Sequence, residues 1–348
     1  MVILNRLMYR LFTLLLTLLL FSSCKRERQV NASFYYWKTI YKENTAEQRW
    51  LDTLHSSRMY LRMMDVDIAE TGADAVPVSP VTFQNPLPAS LNLVPVVFIV
   101  NNVLKDKSHA QLDDLAAKLL FFVKGKVAQA GKKEIKELQI DCDWTKSTRE
   151  NYFYLLNKIK QKIAEQHIVL SATLRLHQLK NLVGSGIPPV DRVMLMCYNM
   201  GNLRQYGEQN SILEQSEMEK YLGKNLGNYP LPVDVGLPLF SWAVAFRKKT
   251  YIGIPKKVTA TALQNKVLFR EIRMHHFLAL KDLPDFGLKQ GDELRWESIP
   301  VKKLQNAAVY IANYLNNNAI NLIYFHLDET LLKNYNYEDL EKTTAIFR

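Results

Sequence analysis

The chain has 348 residues, 48% hydrophobic and 23% charged, which is apolar mass for one large or two medium globular domains. Its 45 Lys+Arg against 34 Asp+Glu give a net charge of +11, but the basic residues are scattered rather than massed. That suits an anionic envelope surface better than nucleic acid, and no nucleic-acid partner is expected. Zinc-ligand spacing, a P-loop and a G-x-G-x-x-G turn are all missing, so no metal or cofactor is expected.

Arg6 and Arg10 lead into an apolar run over residues 11–21, too short and one-sided for a membrane span. Phe21-Ser22-Ser23-Cys24 closes it. Small residues before a single cysteine resemble a bacterial lipoprotein signal, which makes 1–23 the signal peptide, Cys24 the lipidated residue and 24–32 a linker. An ordinary signal peptide or an N-terminal anchor is the alternative. Each reading places the body outside the cytoplasm, on a membrane of the bacterial envelope if Cys24 carries lipid. The basic Lys25-Arg26 pair favours an anchor facing the periplasm. The two other cysteines, Cys142 and Cys197, fall on strands about two spacings apart and are expected as buried free thiols.

From residue 33, β-rich runs alternate with segments of helical period. The first strand is an aromatic run over 33–39. Asn44 with Glu47 opens a helix carrying Trp50, Leu51 and Leu54. Strands follow over 58–68 and 94–100. Ser108 with Gln111 then caps a helix whose Leu112, Leu115, Leu119 and Val123 form one stripe. The fourth strand, 138–145, reads Leu-Gln-Ile-Asp-Cys-Asp-Trp-Thr, and Ser147 with Glu150 caps the next helix. Strands over 168–176, 192–199, 233–242 and 321–328 complete the count, the last preceded by a helix over 301–316. Eight strands, mostly separated by amphipathic helices, with a Pro-rich loop over about 77–90 before the third, argue a (β/α)₈ TIM barrel over residues 33–348, of α/β class. A doubly wound open sheet is the runner-up, without its usual Gly-rich first turn. One connection, about 248–300 between strands seven and eight, is long enough to be an insertion.

In such barrels the active site lies at the C-terminal strand ends. Those ends carry Trp37, Asp65 and Asp67, Asp141 and Asp143, Tyr198 and Asn199, Trp242, then His326 and Asp328. A purely structural barrel has no need of so many converging polar and aromatic groups, so a ligand site is expected there. By strand alternation Gln139, Asp141, Asp143 and Thr145 share one face. Asp67 reads equally as a loop cap and His326 as a core imidazole. Trp144, on the opposite face, reads as packing against helices.

Three of these stretches resemble family-18 glycoside hydrolases, the chitinase-type barrels. Asp141-x-Asp143-Trp144-Thr145 is similar to their fourth-strand D-x-D-x-E, Met196-Cys197-Tyr198-Asn199 to their M-x-Y-D, and Gly236-Leu237-Pro238-Leu239-Phe240-Ser241 to their G-x-P-x-Y-G. The chain also resembles the bacterial domain-of-unknown-function 3142 family, a diverged relative of those hydrolases. The resemblance implies a TIM barrel with an insertion after strand seven and a carbohydrate ligand. By position, Asp143 would orient a substrate acetamide, Asp141 would be its partner and Tyr198 would bond the acetamide carbonyl. The general-acid glutamate is replaced by Thr145, whose hydroxyl is too weak an acid for that role. Either Asp328, Glu329, Asp65 or Asp67 supplies the acid, or the barrel binds glycan without cutting it. Three readings stay open: a hydrolase of altered site, a non-catalytic glycan-binding lipoprotein, and a structural or assembly lipoprotein with a vestigial site.

Overall fold

Strands apolar on both faces need covering on both sides, and amphipathic helices need a sheet to cover; alternating them lets each satisfy the other. The computed structural model describes residues 28–69, 72 and 75–348. The signal sequence, Cys24 and the Lys25-Arg26 pair lie outside them. Eight parallel strands form the barrel: β1 (Gln29–Tyr36), β2 (Arg58–Ile68), β3 (Asn92–Ile99), β4 (Glu137–Cys142), β5 (Val169–Arg175), β6 (Arg192–Met196), β7 (Val233–Pro238) and β8 (Ala319–Phe325). It closes because β1 pairs on both sides, with β8 from Gln29↔Ala319 to Phe34↔Tyr324 and with β2 from Phe34↔Met59 to Tyr36↔Leu61. This is the α/β TIM barrel that the alternation implies.

The outer layer includes helices α1 (Thr45–Thr53), α2 (His109–Gln129), α3 (Arg149–Ile163) and α4 (Val301–Tyr314). Helix α2 buries Leu112, Leu115, Leu119 and Val123 and begins with the Ser108–Gln111 capping box. Asn44 caps α1 through the amides of Ala46 and Glu47. Helix α3 begins one residue later than Ser147 implies, with Thr148 at its cap position. Trp144 is buried on the outside of the barrel, where its ring stacks on Tyr152 of α3 at 5.0 Å and its Nε1 donates to the Ser185 carbonyl at 2.9 Å. Cys142 and Cys197 are buried free thiols. Among the described residues no helix is long and apolar enough to cross a membrane.

Several boundaries differ from the sequence reading; β4, β6 and β8 end at Cys142, Met196 and Phe325, short of 145, 199 and 328. Strand β1 begins at Gln29, not 33, because residues 29–32 find partners along β8. The apolar run 233–242 is two strands: β7 ends at Pro238, and a new strand starts at Trp242. That second strand belongs to the insertion, a five-stranded antiparallel sheet over residues 242–297 with its own core of Ala243, Ala245, Leu263, Phe269 and Leu294. The insertion therefore starts at Trp242 rather than 248.

Candidate functional site

The barrel interior is layered from an ionic floor to an open mouth. At the N-terminal ends of the strands, Glu137 meets Arg58 at 3.2 Å and accepts the Ser171 hydroxyl at 2.7 Å. Asp234 meets Arg192 at 2.9 Å and accepts the Asn321 backbone and side-chain amides at 2.7 and 2.9 Å. Burial, only partly offset by Arg192, pushes Asp234 up to about 6. One layer higher, the Tyr35 hydroxyl donates to Gln139.

Above this the barrel opens into a cavity of about 450 Å³ lined by Trp37, Asp65, Asp141, Tyr198, Asn199, Trp242 and His326, with Tyr35, Phe98, Thr173, Arg175, Met196, Phe240 and Phe325. Asp141 is 4% exposed and accepts the Thr173 hydroxyl at 2.6 Å. Burial raises its pKa from the ordinary aspartate value; Arg175 and the Thr173 hydrogen bond oppose that, while Asp143 and Asp65 add to it. Tyr198 is 3% exposed, and its hydroxyl has no hydrogen-bond partner in the protein. Its ring lies against Phe240 and Phe325, with centroids 6.1 and 5.4 Å away. Gly236 makes room for it, since a Cβ there would lie 2.7 Å from Met194 Sδ and 3.2 Å from Tyr198 Cε1. Asn199 sits at the rim with φ +55°, a left-handed conformation that asparagine tolerates.

Asp65 reaches the mouth because of a β-bulge. Arg62 pairs with Val96 and Met64 with Val97, leaving Met63 as an extra residue. The bulge reverses the inward–outward alternation, so Arg62 and Asp65 come to the same side. Arg62 then clamps Asp65 with two contacts, Nε to Oδ1 at 2.6 Å and Nη2 to Oδ2 at 2.5 Å.

The fourth-strand alternation holds only as far as Asp141. Pairing ends at Cys142, so residues 143–148 form a turn rather than strand. Asp143 is half exposed and ion-paired with Arg175. Thr145 is exposed; its amide bonds Thr148 Oγ1 at 3.0 Å and its hydroxyl lies 2.9 Å from that of Ser147. Position 145 therefore belongs to the turn before α3, and neither it nor Asp143 lines the cavity. The inward residues of β4 are Glu137, Gln139 and Asp141, with Asp141 at the mouth.

Asp328 stands beside the mouth, not in its lining. It caps the helical turn Glu329–Leu332 through the amides of Thr330 and Leu331 and meets Lys38 at 2.9 Å. Burial alone would raise its pKa; Lys38, His326 and the Leu331 amide together hold it below the usual range. It is thus a carboxylate at neutral pH, unsuited to donate a proton. Burial pushes His326 down to about 4, and its Nδ1 has no partner in the protein. Asp67 accepts the amide of Ile68 at 2.8 Å, away from the cavity lining. Trp37 and Trp242 stand at the opening; the Trp242 Nε1 donates to buried Glu297 of the insertion at 3.0 Å, which fixes its ring. Sequence reasoning missed Arg62, Thr173 and Arg175 as partners of these carboxyls; a polar residue inside an otherwise apolar strand was the available signal.

A larger cavity, about 820 Å³, is cut into the insertion beside Phe269, Phe277 and Trp296. Its lining contains one carboxylate, Glu271, so it lacks the convergence of acid, phenol and indole found at the barrel mouth. Among the described residues no group of three or more His, Cys, Asp or Glu is placed to hold a metal ion.

No family model matches the chain, and no curated protein matches it by sequence. Solved structures do. A chitinase from Chromobacterium violaceum is 12% identical, with 90% of this chain and 98% of that one covered at a TM-score of 0.53. The spore cortex-lytic enzyme SleL of Bacillus megaterium is 13% identical over 90% of this chain and 75% of that one, with a TM-score of 0.51. The group IV chitinase of Ostrinia furnacalis is 8% identical over 92% and 100%, with a TM-score of 0.54. The likeness is one of fold. It is the fold that the family-18 resemblance implies.

Proposed function

We propose that the barrel mouth binds and hydrolyses a glycosidic bond of a β-linked polysaccharide, with Asp141 as general acid. The observation that carries this is a carboxyl buried at the base of an aromatic-walled opening beside an unpartnered phenol, with burial shifting its pKa upward. A proton donor, a hydrogen-bonding group awaiting a partner and indole platforms are what a sugar ring at a cleavage point requires. The fold neighbours named as chitinases and a cortex-lytic enzyme support the substrate class. Membership of the domain-of-unknown-function 3142 family, lipid attachment at Cys24 and a periplasm-facing position complete the proposal; they rest on the sequence pattern. The second reading, glycan binding without cleavage, is favoured by one observation: position 145 carries no carboxyl and Asp143 is tied to Arg175.

The test is digestion of chitin oligosaccharides and spore-cortex peptidoglycan strands by the purified chain from residue 25, with product analysis, for wild type and Asp141→Asn. Asn keeps an acceptor for the Thr173 hydroxyl but holds no acidic proton. Turnover reduced about 10²–10⁴-fold with binding retained is the expected result. Binding without turnover in the wild type would establish the second reading, and absence of binding would overturn both.

A further inference from the structure

Two walls of the mouth come from different parts of the chain: Asn199, in the loop after β6, and Trp242, the first residue of the insertion. One buried carboxyl group holds both. Glu297, 2% exposed, ends the insertion strand Glu293–Glu297 and pairs with Trp242 on the neighbouring strand. Its Oε2 accepts Trp242 Nε1 at 3.0 Å, the Ser211 amide at 2.7 Å and the Ser211 hydroxyl at 2.5 Å. Its Oε1 accepts Nε of the equally buried Arg295 at 2.7 Å. Arg295 in turn donates through Nη1 to the carbonyls of Gln205 and Gly207 at 2.9 and 3.1 Å. The pair therefore clips the loop after β6 at 205–207 and again at 211. Ser211 passes that constraint to the rim. Its carbonyl accepts the Gly201 amide at 3.1 Å, and the Ile212 carbonyl accepts the Asn199 amide at 2.8 Å. The two arms of the loop run so close that a Cβ on Gly201 would lie 2.8 Å from Ser211 Cα.

We infer that Glu297 is a positioning residue for the sugar site, holding the Trp242 ring and the Asn199 rim in place before the ligand arrives. This rests on the reading that a sugar occupies the mouth and goes beyond it in giving the insertion a part in binding. Packing on Phe240, with centroids 5.0 Å apart, locates the Trp242 ring, and the Nε1 hydrogen bond fixes which way it turns. A stacking ring left to turn freely must be ordered by each incoming sugar, at a cost in affinity. An ion pair serving the insertion alone would need only the Arg295 contact; the other oxygen of Glu297 is given to the mouth and to the loop.

The arrangement also says what a glutamine would do at this position. Every one of these groups bonded to Glu297 is a donor. A glutamine offers one acceptor oxygen and an NH2, so whichever way its amide turns, the NH2 meets either Arg295 or the Trp242–Ser211 side. With its oxygen turned to Arg295, the indole is released.

The experiment is calorimetric titration of chitopentaose into the Asp141→Asn protein, alone and combined with Glu297→Gln, with Trp242→Phe, and with both. Glu297→Gln should weaken binding about two- to thirteenfold, the cost of ordering one side chain. Both substitutions together should lose less than the two single losses combined, because Glu297 acts through Trp242. Fully additive losses, or a folded Glu297→Gln protein that binds like its parent, would overturn the inference while leaving the sugar reading intact. A parent that binds no sugar would overturn both. If Glu297→Gln fails to fold, the Trp242 indole N–H resonance of the parent decides, assigned by its absence in Trp242→Phe. It should exchange slowly with solvent and shift when chitopentaose is added; fast exchange, or a resonance the sugar does not move, would overturn the inference.

Discussion

Replacing Tyr198 by phenylalanine separates what the residue does for the fold from what it does for a ligand. The ring contacts with Phe240 and Phe325 survive the change, and the only atom lost is a buried hydroxyl without a protein partner. An unsatisfied buried polar group costs about 1–3 kcal/mol, so Tyr198→Phe should leave the free protein at least as stable as wild type and up to about that much more stable. If the hydroxyl is held for a sugar, one net hydrogen bond of about 0.5–1.5 kcal/mol disappears from the complex, weakening binding by roughly two- to thirteenfold. Urea denaturation and calorimetric titration with chitopentaose read the two effects on one preparation. A variant destabilised by more than about 1 kcal/mol that binds sugar as wild type does would refute the argument, since the hydroxyl would then be serving the fold.

Three further outcomes follow from the same geometry. Asp234 is raised from 3.8 to about 6 by burial, so between those pH values the folded protein keeps a proton that the unfolded chain has released. Its contribution to stability is complete below about pH 4 and is lost as pH rises through about 6, an effect of about 3 kcal/mol. Urea midpoints between pH 4 and 7 should show that slope in wild type and lose it in Asp234→Asn. Gly236→Ala forces a Cβ to 2.7 Å from Met194 Sδ. Overpacking of this kind typically costs about 1–3 kcal/mol, and the displaced Tyr198 ring should also weaken sugar binding; an unchanged urea midpoint would argue that Met194 has room to move. Metabolic labelling with palmitate in a bacterial host should mark the wild-type chain and not Cys24→Ala, and labelling that persists in the variant would reject Cys24 as the attachment point.

The barrel was legible because its eight strands are short apolar runs, most of them set off by helices of different period. Asp141, Tyr198 and Trp242 could be placed at the mouth from strand ends alone. Asp65 was reached the same way, but its separation from Asp67 was not legible, since its direction depends on the extra residue Met63, and a bulge leaves no mark on an apolar pattern. The end of β4 was hidden for a related reason. Asp143 and Thr145 continue a two-residue alternation past Cys142, but alternation has meaning only while a neighbour supplies hydrogen bonds, and there the pairing stops. Likewise the apolar run 233–242 continues through a break, because Leu239 and Phe240 are buried whether they lie in a strand or in the turn that leads to the insertion. The ion pairs of Asp65 with Arg62 and of Asp143 with Arg175 decide which carboxyl is free to act. The first depends on the bulge and the second on how two strands lie side by side.

The central claim is that a sugar occupies the barrel mouth. A crystal structure of Asp141→Asn soaked with chitopentaose tests it most directly. Sugar density between Trp37 and Trp242, with one ring hydrogen-bonded to the Tyr198 hydroxyl and its glycosidic oxygen against residue 141, is the predicted result. Density confined to the cavity beside Trp296, or a mouth that stays empty at saturating ligand, would contradict it.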